Sequence, residues 1–268
     1  MKNISKSMRV WNIIYPIFIY FVVTAVTLVA LDFVLPETVD SKLLRQLITS
    51  LVAIPFMYSF YRPDQMMRGK VEGTRFQISR WKDSVSTDKV MLYIKMCLVG
   101  GCFAVAWNNI LGMLHIIEYS NSYGQVVETF YTGKLLLEIV ALCMVIPYVE
   151  ELLYRGIVYG RIRDWLGVPI AIVVSAIIFG AIHMNFVQFV YATVFGVLLA
   201  WFAEMSDGIW GAVLAHMAAN LTSVLRAETK VFAVMDKNMS VQIIVTVVLL
   251  LIAGVLCIRL RAKKDEIS

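Results

Sequence analysis

Long uninterrupted apolar runs constrain this chain more than any other feature of its sequence. A helix needs roughly 20 apolar residues to cross the hydrocarbon core of a bilayer. The chain contains such runs at about residues 11–34, 43–61, 90–114, 135–158, 168–184, 187–204, 209–226 and 241–260. They show no strand-like alternation, and in lipid a single segment satisfies its own backbone groups only as a helix. The sequence therefore predicts an all-α polytopic transmembrane helical bundle of about eight spans.

The composition agrees with a membrane location. Hydrophobic residues make up 60% of the 268 residues and charged residues only 16%, whereas soluble domains carry about 25% charged residues. The first run is too long for a signal peptide and lacks a small-residue cleavage site, which predicts a retained helix. The cysteines lie inside apolar runs without a CxxC pair, which predicts small buried side chains, neither disulfides nor metal ligands. They are Cys97, Cys102, Cys143 and Cys257.

Positive charges lie mainly in the connections between the apolar runs. The N-terminus, the loop 62–89, the connection after run four and the tail are basic, while the loops 36–42 and 115–134 are acidic or neutral. This alternation predicts that both termini face the cytoplasm; the connection after run seven departs from it with Lys230 and Lys237. The net charge of +5 thus reflects topology and does not indicate a nucleic-acid partner. The basic loop 62–89 either faces solvent or contacts anionic lipid head groups.

Ionisable side chains are costly inside a bilayer, so those within the later runs are candidate functional residues. Together with one amide, they are Glu150, Glu151, Arg155, His183, His216 and Asn220. Glu151 and Arg155 are four apart, share a helix face and can form an ion pair. Glu150 points about 100° away from Glu151 and is free to face a cavity. His216 and Asn220 also share one face.

Three helices bring these residues to similar depth. Glu150 lies 16 residues before Leu166, and His183 lies 14 residues after Pro169, on either side of one turn. At 1.5 Å per residue both are about 21–24 Å from that turn, which projects into the cytoplasm and leaves a depth of about 10 Å. His216 is about 12 Å from its own cytoplasmic turn by the same rise. The sequence therefore predicts that one carboxylate and two imidazoles converge.

Such a cluster can hydrolyse a peptide bond in two ways. In the first, Glu150 takes a proton from a water molecule that His183 orients. His216 and Asn220 then donate hydrogen bonds to the oxyanion. In the second, Glu150, His183 and His216 bind Zn²⁺ and leave one position open for water. The spacing leaves both open, and the HExxH signature is absent.

Structural explanations compete with these functional ones. Glu151 and Arg155 can be an ion pair that anchors a helix end. His216 and Asn220 can form hydrogen bonds between helices. His115, at the outer end of run three, is expected to be structural. The set of polar positions is more specific than any one member.

Three short motifs resemble, in the same order, those of the CPBP family: Glu150-Glu151-x-x-x-Arg155, Phe179-x-x-x-His183 and His216-x-x-x-Asn220. The family comprises type II CAAX prenyl endopeptidases and bacteriocin-processing or immunity (Abi) proteins. The resemblance implies a catalytic core at 135–226. Residues 1–134 would then hold N-terminal helices and a basic loop, and residues 227–268 a last helix and a basic tail.

The resemblance implies an intramembrane endopeptidase of the cell membrane that cleaves a membrane-associated protein or peptide. In the family the first Glu and the span-five His, here Glu150 and His183, activate water. The last pair, here His216 and Asn220, is assigned to the oxyanion. Members are described both as metalloproteases and as metal-independent enzymes, which leaves Zn²⁺ open. The alternatives are a non-catalytic bacteriocin-immunity or regulatory protein on the same scaffold, and a small transporter that relays protons.

Overall fold

The computed structural model describes residues 5–36, 38–71, 87–116, 130–131 and 134–265. Within these ranges the chain forms nine helices and no strand, which confirms the predicted all-α class. The helices are α1 (Lys6–Asp32), α2 (Val39–Val71), α3 (Thr87–Met113), α4 (135–166), α5 (Val168–Ala181), α6 (Phe186–Met205), α7 (Trp210–Glu228), α8 (Ala233–Lys237) and α9 (Met239–Asp265). All but α8 correspond to the predicted runs.

Helix α4 changes its hydrogen-bonding pattern along its length. Its segments are, in order, α-helical Leu135–Glu138, π-helical Ile139–Val145, α-helical Ile146–Glu151, π-helical Leu152–Tyr159 and α-helical Gly160–Leu166. At the end of the first π-helical segment the N–H of Ile146 donates to the carbonyl of Ala141, five residues earlier. π-Helical turns are rare and concentrate at functional sites. Apolar periodicity does not reveal them, and they were not predicted.

Several of the helices can cross a membrane. Those long and apolar enough to do so on length and composition are Lys6–Asp32, Ser41–Gly69, Thr87–Met113, Phe186–Met205 and Met239–Ala262. Large apolar side chains cover their outer surfaces; Val26 is 65% and Leu251 64% exposed, as lipid contact requires. Helix α5 is apolar but shorter, and α4 is divided into short segments. The chain is thus a multi-pass membrane protein, while eight spans and cytoplasmic termini stay predictions.

The predicted cytoplasmic loop 62–89 is too long at both ends. Helix α2 continues to Val71 and α3 already begins at Thr87. Charged side chains do not end a helix once it leaves the hydrocarbon, because their long stems reach the head groups and water. The remainder of this loop, at 72–86, lies outside the described residues, as does most of the predicted connection at 115–134.

Two apolar clusters form the core. The first is built mainly from α1, α2, α4 and α5 and contains Tyr154 and Phe179. The second is built from α3, α6, α7 and α9 and contains Phe195 and Ala215. The rings of Phe179 and Phe195 both lie edge-on to His216, with centroids 6.0 and 5.5 Å away. The polar residues therefore lie where the two clusters meet.

Helix α3 packs closely against α7 beside His216. A Cβ at Gly100 would overlap the carbonyl oxygen of Ala215. Small residues allow membrane helices to approach each other in this way. The position of His216 is thus set partly from α3.

Ion pairs hold α4 to α2 at the end that the charge pattern places in the cytoplasm. Arg161 Nε lies 2.7 Å from Asp64 Oδ2, and Arg68 Nε lies 2.8 Å from Asp164 Oδ2. Arg161 also donates to the carbonyl of Asn12 in α1. Partly exposed pairs contribute at most about 1 kcal/mol each. They specify how the helix ends meet more than they stabilise the bundle.

All four cysteines are free thiols, but only one is buried. Cys143 is enclosed, whereas Cys97, Cys102 and Cys257 are half-buried. The prediction that all four are buried is wrong for these three. Cys97 and Cys102 line an open apolar cavity between α3, α7 and α9, and Cys257 packs at the edge of the second cluster.

Candidate active site

Glu151 and Arg155 form a fully buried ion pair on α4. Both side chains are 0% exposed, and Arg155 Nε lies 3.2 Å from Glu151 Oε2. Arg155 Nη1 donates to Glu151 Oε1 at 3.2 Å, and Nη2 donates to the carbonyl of Gly196 at 3.3 Å. The pair predicted from the four-residue spacing is therefore present. Breaking such a buried pair is costly because one charge is left uncompensated.

The imidazole of His216 connects both carboxylates. Its Nδ1 lies 2.8 Å from Glu151 Oε1, and its Nε2 lies 3.9 Å from Glu150 Oε2. An ionised carboxylate only accepts, so Nδ1 donates to Glu151. The side chain of Glu150 is 16% exposed, whereas that of Glu151 is fully enclosed. Glu151 therefore holds the imidazole, and Glu150 is the carboxylate that an incoming molecule can reach.

His183 lies just past the end of α5. Its Nδ1 is 2.9 Å from the carbonyl oxygen of Phe179, which only accepts, so Nδ1 carries the hydrogen and Nε2 is left as an acceptor. Met184 then adopts a left-handed φ of 52°, and Asn185 caps α6 by accepting from Gln188 N at 3.2 Å. The predicted turn between these two helices is thus present. His183 and His216 both interact electrostatically with Glu150.

The ring of Phe179 is a shared packing surface for three polar side chains. The guanidinium carbon of Arg155 lies 4.3 Å from its centroid, a cation–π distance. The rings of His183 and His216 are edge-on to it at 5.2 and 6.0 Å. Phe179 therefore orients the cation and both imidazoles.

Helix α6 contributes two residues that sequence reasoning missed. Phe195 lies edge-on to His216 at 5.5 Å, and the carbonyl of Gly196 accepts from Arg155. A Cβ on Gly196 would lie 3.3 Å from Arg155 Nη2 and 3.1 Å from Ala176 Cβ. The sequence signal for these two residues was a glycine next to an aromatic residue in an apolar run. That signal does not show which side chains either residue contacts.

Asn220 reaches from α7 to the first π-helical segment of α4. Its Nδ2 donates to the carbonyl of Leu142 at 2.8 Å. The side-chain amide has two hydrogens, so one is used by this contact and one is left. The shared face of His216 and Asn220 thus points at α4, where each side chain binds a different segment.

Two carboxylates and one guanidinium lie together in this buried site. Glu150 and Glu151 supply two negative charges, and Arg155 supplies one fixed positive charge. Low-polarity surroundings strongly favour compensation of a buried charge. His216 donates from Nδ1 to Glu151 and presents Nε2 to Glu150, so its imidazole lies between the two carboxylates. The arrangement suits proton transfer.

The residues present do not form a metal site in this geometry. No group of three His, Cys, Asp or Glu side chains in the described parts of the chain is arranged to hold an ion. Both imidazoles are bonded through Nδ1, as metal-bound histidines commonly are, but the same orientation also serves a histidine that binds water. In the described structure Glu150, His183 and His216 are thus not gathered as the three ligands that the Zn²⁺ alternative requires.

His115 lies apart from these motifs in the chain and in its environment. It follows α3 in an exposed turn with a left-handed φ of 55°. Its backbone N–H donates to the carbonyl of Gly112 at 3.0 Å. The prediction of a structural residue is compatible with this position.

The fold and these contacts define a multi-pass helical membrane protein with a buried Glu–Arg–His centre. Residues 132–222 match the family model described as type II CAAX prenyl endopeptidase Rce1-like. The matched segment contains all six candidate residues. The predicted resemblance to the CPBP family is thereby confirmed for this segment.

One curated relative is the "Putative membrane peptidase YdiL" of Bacillus subtilis (strain 168). It is 27% identical over 89 residues, which cover 33% of this chain and 36% of that protein. The match thus spans little more than a third of the relative's length. No solved structure matches the chain.

Proposed function

We propose that this chain is an intramembrane endopeptidase that hydrolyses a peptide bond of a membrane-associated protein or peptide. The observation that carries the proposal is the pairing of the accessible carboxylate of Glu150 with His216 Nε2 at 3.9 Å. The pair lies in a segment that matches an endopeptidase family model. A carboxylate in a partly dry cavity is a stronger base than one in water, because its charged form is poorly solvated.

Glu150 acts as the base in this mechanism. It takes a proton from a water molecule that also donates to Nε2 of His183, since the Nδ1–H of that ring is held by the Phe179 carbonyl. The hydroxide attacks the acyl carbon, and the C–N bond then breaks. The proton held by Glu150 passes to the leaving amine, so the carboxylate is regenerated.

The oxyanion of the tetrahedral intermediate is stabilised from α7. Because His216 donates Nδ1–H to Glu151, only its Nε2 is left to face the oxyanion. In the imidazolium form this nitrogen also carries a hydrogen and can donate it. Glu151 holds that cation in place, as a buried carboxylate orients a histidine in other hydrolases. The sequence motif also assigns Asn220 to the oxyanion, although the Nδ2 of this amide donates to the Leu142 carbonyl.

The first test compares peptide termini in membranes and medium. Cells express either the native chain or Glu150→Gln at matched protein level. We expect termini that are present with the native chain and absent with Glu150→Gln, because the amide of Gln cannot take a proton from water. Glu204→Gln is the matched control, since this carboxylate accepts from Tyr159 and Arg163 outside the candidate site.

The outcome separates the enzyme from its main alternative. Termini that appear with the native chain and the Glu204→Gln control, and not with Glu150→Gln, identify the substrate and the bond together. Identical termini in all three, with an unchanged cellular phenotype, would contradict proteolysis. They would favour an immunity or regulatory protein on this scaffold.

Removal of divalent ions gives a separate prediction. We expect cleavage of the identified substrate in washed membranes to continue at an unchanged rate after EDTA treatment, because the described side chains do not form a three-ligand site. The rate is measured from the accumulation of the new terminus, with untreated membranes as control. Loss of activity that Zn²⁺ restores would contradict the glutamate mechanism.

A further inference from the structure

The carbonyl of Leu142 lies where the π-helical pattern of α4 meets a proline. In the first π-helical segment Ile146 N–H donates to Ala141, five residues earlier. The same pattern would pair the N–H of residue 147 with the Leu142 carbonyl. Residue 147 is Pro147, which has no N–H. The π-helical pattern therefore offers the carbonyl of Leu142 no backbone donor.

Asn220 supplies that donor from another helix. Its Nδ2 lies 2.8 Å from the Leu142 carbonyl oxygen. In a membrane an unsatisfied backbone carbonyl is expensive, and a polar side chain of a neighbouring helix is a common substitute. The contact joins positions 78 residues apart in the chain.

The contact is one of two that hold α7 against α4. Asn220 binds Leu142, and four residues earlier His216 binds Glu151 at 2.8 Å. The order of the pairs is that of antiparallel helices. Glu150 lies between the two attachment points, in the short α-helical segment Ile146–Glu151 that begins beside the proline. Any rotation of that segment would change the distance between Glu150 and His216.

We propose that Asn220 is a positioning residue, whose amide replaces the backbone hydrogen bond that Pro147 cannot make and thereby sets the orientation of Glu150. Its consequence for catalysis rests on the proposed peptidase function, but the contact itself does not. If Asn220 instead donated to the oxyanion, the effect of Asn220→Ala on the cleavage rate would not depend on residue 147.

A double-mutant cycle tests the proposal. The full chain is prepared as native protein, Asn220→Ala, Pro147→Ala and the double variant. Pro147→Ala restores a backbone N–H within reach of Leu142, so the amide of Asn220 becomes dispensable. Two quantities are measured for each: the midpoint of thermal unfolding in detergent, and the rate at which the native-specific peptide terminus appears in membranes.

We expect Asn220→Ala to lower the cleavage rate about 10-fold in the native background, as loss of a buried hydrogen-bond partner does. In the Pro147→Ala background the same change should lower the rate less than about threefold. The unfolding midpoint should follow the same pattern, with a clear decrease only in the native background. Pro147→Ser also restores the N–H and should give the same rescue, which guards against an effect peculiar to alanine.

An equal loss of cleavage rate in both backgrounds would overturn the proposal. It would indicate that Asn220 contacts the oxyanion directly. The unfolding midpoints, compared with the cleavage rates, distinguish failure of the positioning role from failure of the peptidase function. If no variant cleaves anything but the unfolding midpoints couple, the peptidase function fails and the hydrogen bond stands. If the chain cleaves and neither quantity couples, the positioning role fails and the peptidase function stands.

Discussion

Glu150→Gln and His183→Asn should each lower the cleavage rate by about 10³-fold, and the double variant should lose no more than the worse single variant. The reason is that both side chains act on the same water molecule. Glu150 removes its proton, and His183 Nε2 orients it. Once either function is missing, the other has no productive water to act upon. The rate is measured as the accumulation of the native-specific terminus at matched protein level.

The control for this pair is His115→Asn. His115 lies in the exposed turn after α3, so its replacement should leave the rate unchanged. A double variant that loses about 10⁶-fold, the product of the two single effects, would show that the residues act independently. That outcome would contradict the shared-water mechanism while leaving the peptidase function intact.

Arg155→Met should lower the free energy of unfolding by about 3–5 kcal/mol. The guanidinium is fully buried, pairs with Glu151, donates to Gly196 and packs over Phe179. Its removal leaves Glu151 buried with a single partner, His216. The unfolding midpoint of the purified chain in detergent measures the effect.

A compensating variant distinguishes a charge effect from a packing effect. Glu151→Gln combined with Arg155→Met removes both charges and should be more stable than Arg155→Met alone, because no buried charge is left uncompensated. Arg163→Met is the matched control, since its pair with Glu204 is 27% exposed on both sides and such pairs contribute less than about 1 kcal/mol. A double variant as unstable as the sum of the single changes would contradict the ion-pair explanation.

The helical membrane class could be predicted because its causes are local. Backbone groups in lipid are satisfied within each helix, so run length and hydropathy suffice to place a span. The turn near Met184, between α5 and α6, followed from the same counting. The Glu151–Arg155 pair was also predictable, since a spacing of four residues places two side chains together on any helix. The end of α2 was missed, because hydropathy marks where the lipid ends and not where the helix ends.

The sequence could predict that the polar residues lie at similar depth in the bilayer. It could not predict which of them contact each other. Counting along the helices placed Glu150, His183 and His216 at similar depth. It could not show that His216 Nδ1 binds Glu151 while Nε2 faces Glu150. That assignment depends on the rotation of α7 relative to α4, which is set by packing against α3 and α6 at positions such as Gly100 and Phe195.

The sequence by itself determined that this is a helical membrane protein and which polar residues form the family-like motifs, because these properties depend on residue type and spacing. The tertiary structure decided which side chains contact one another within the cluster. It alone joined Asn220 to Leu142, Arg155 to Gly196 and His216 to Glu151, contacts that span 78, 41 and 65 residues. Such contacts arise from how helices rotate and approach one another, and no periodicity within a single helix encodes that geometry.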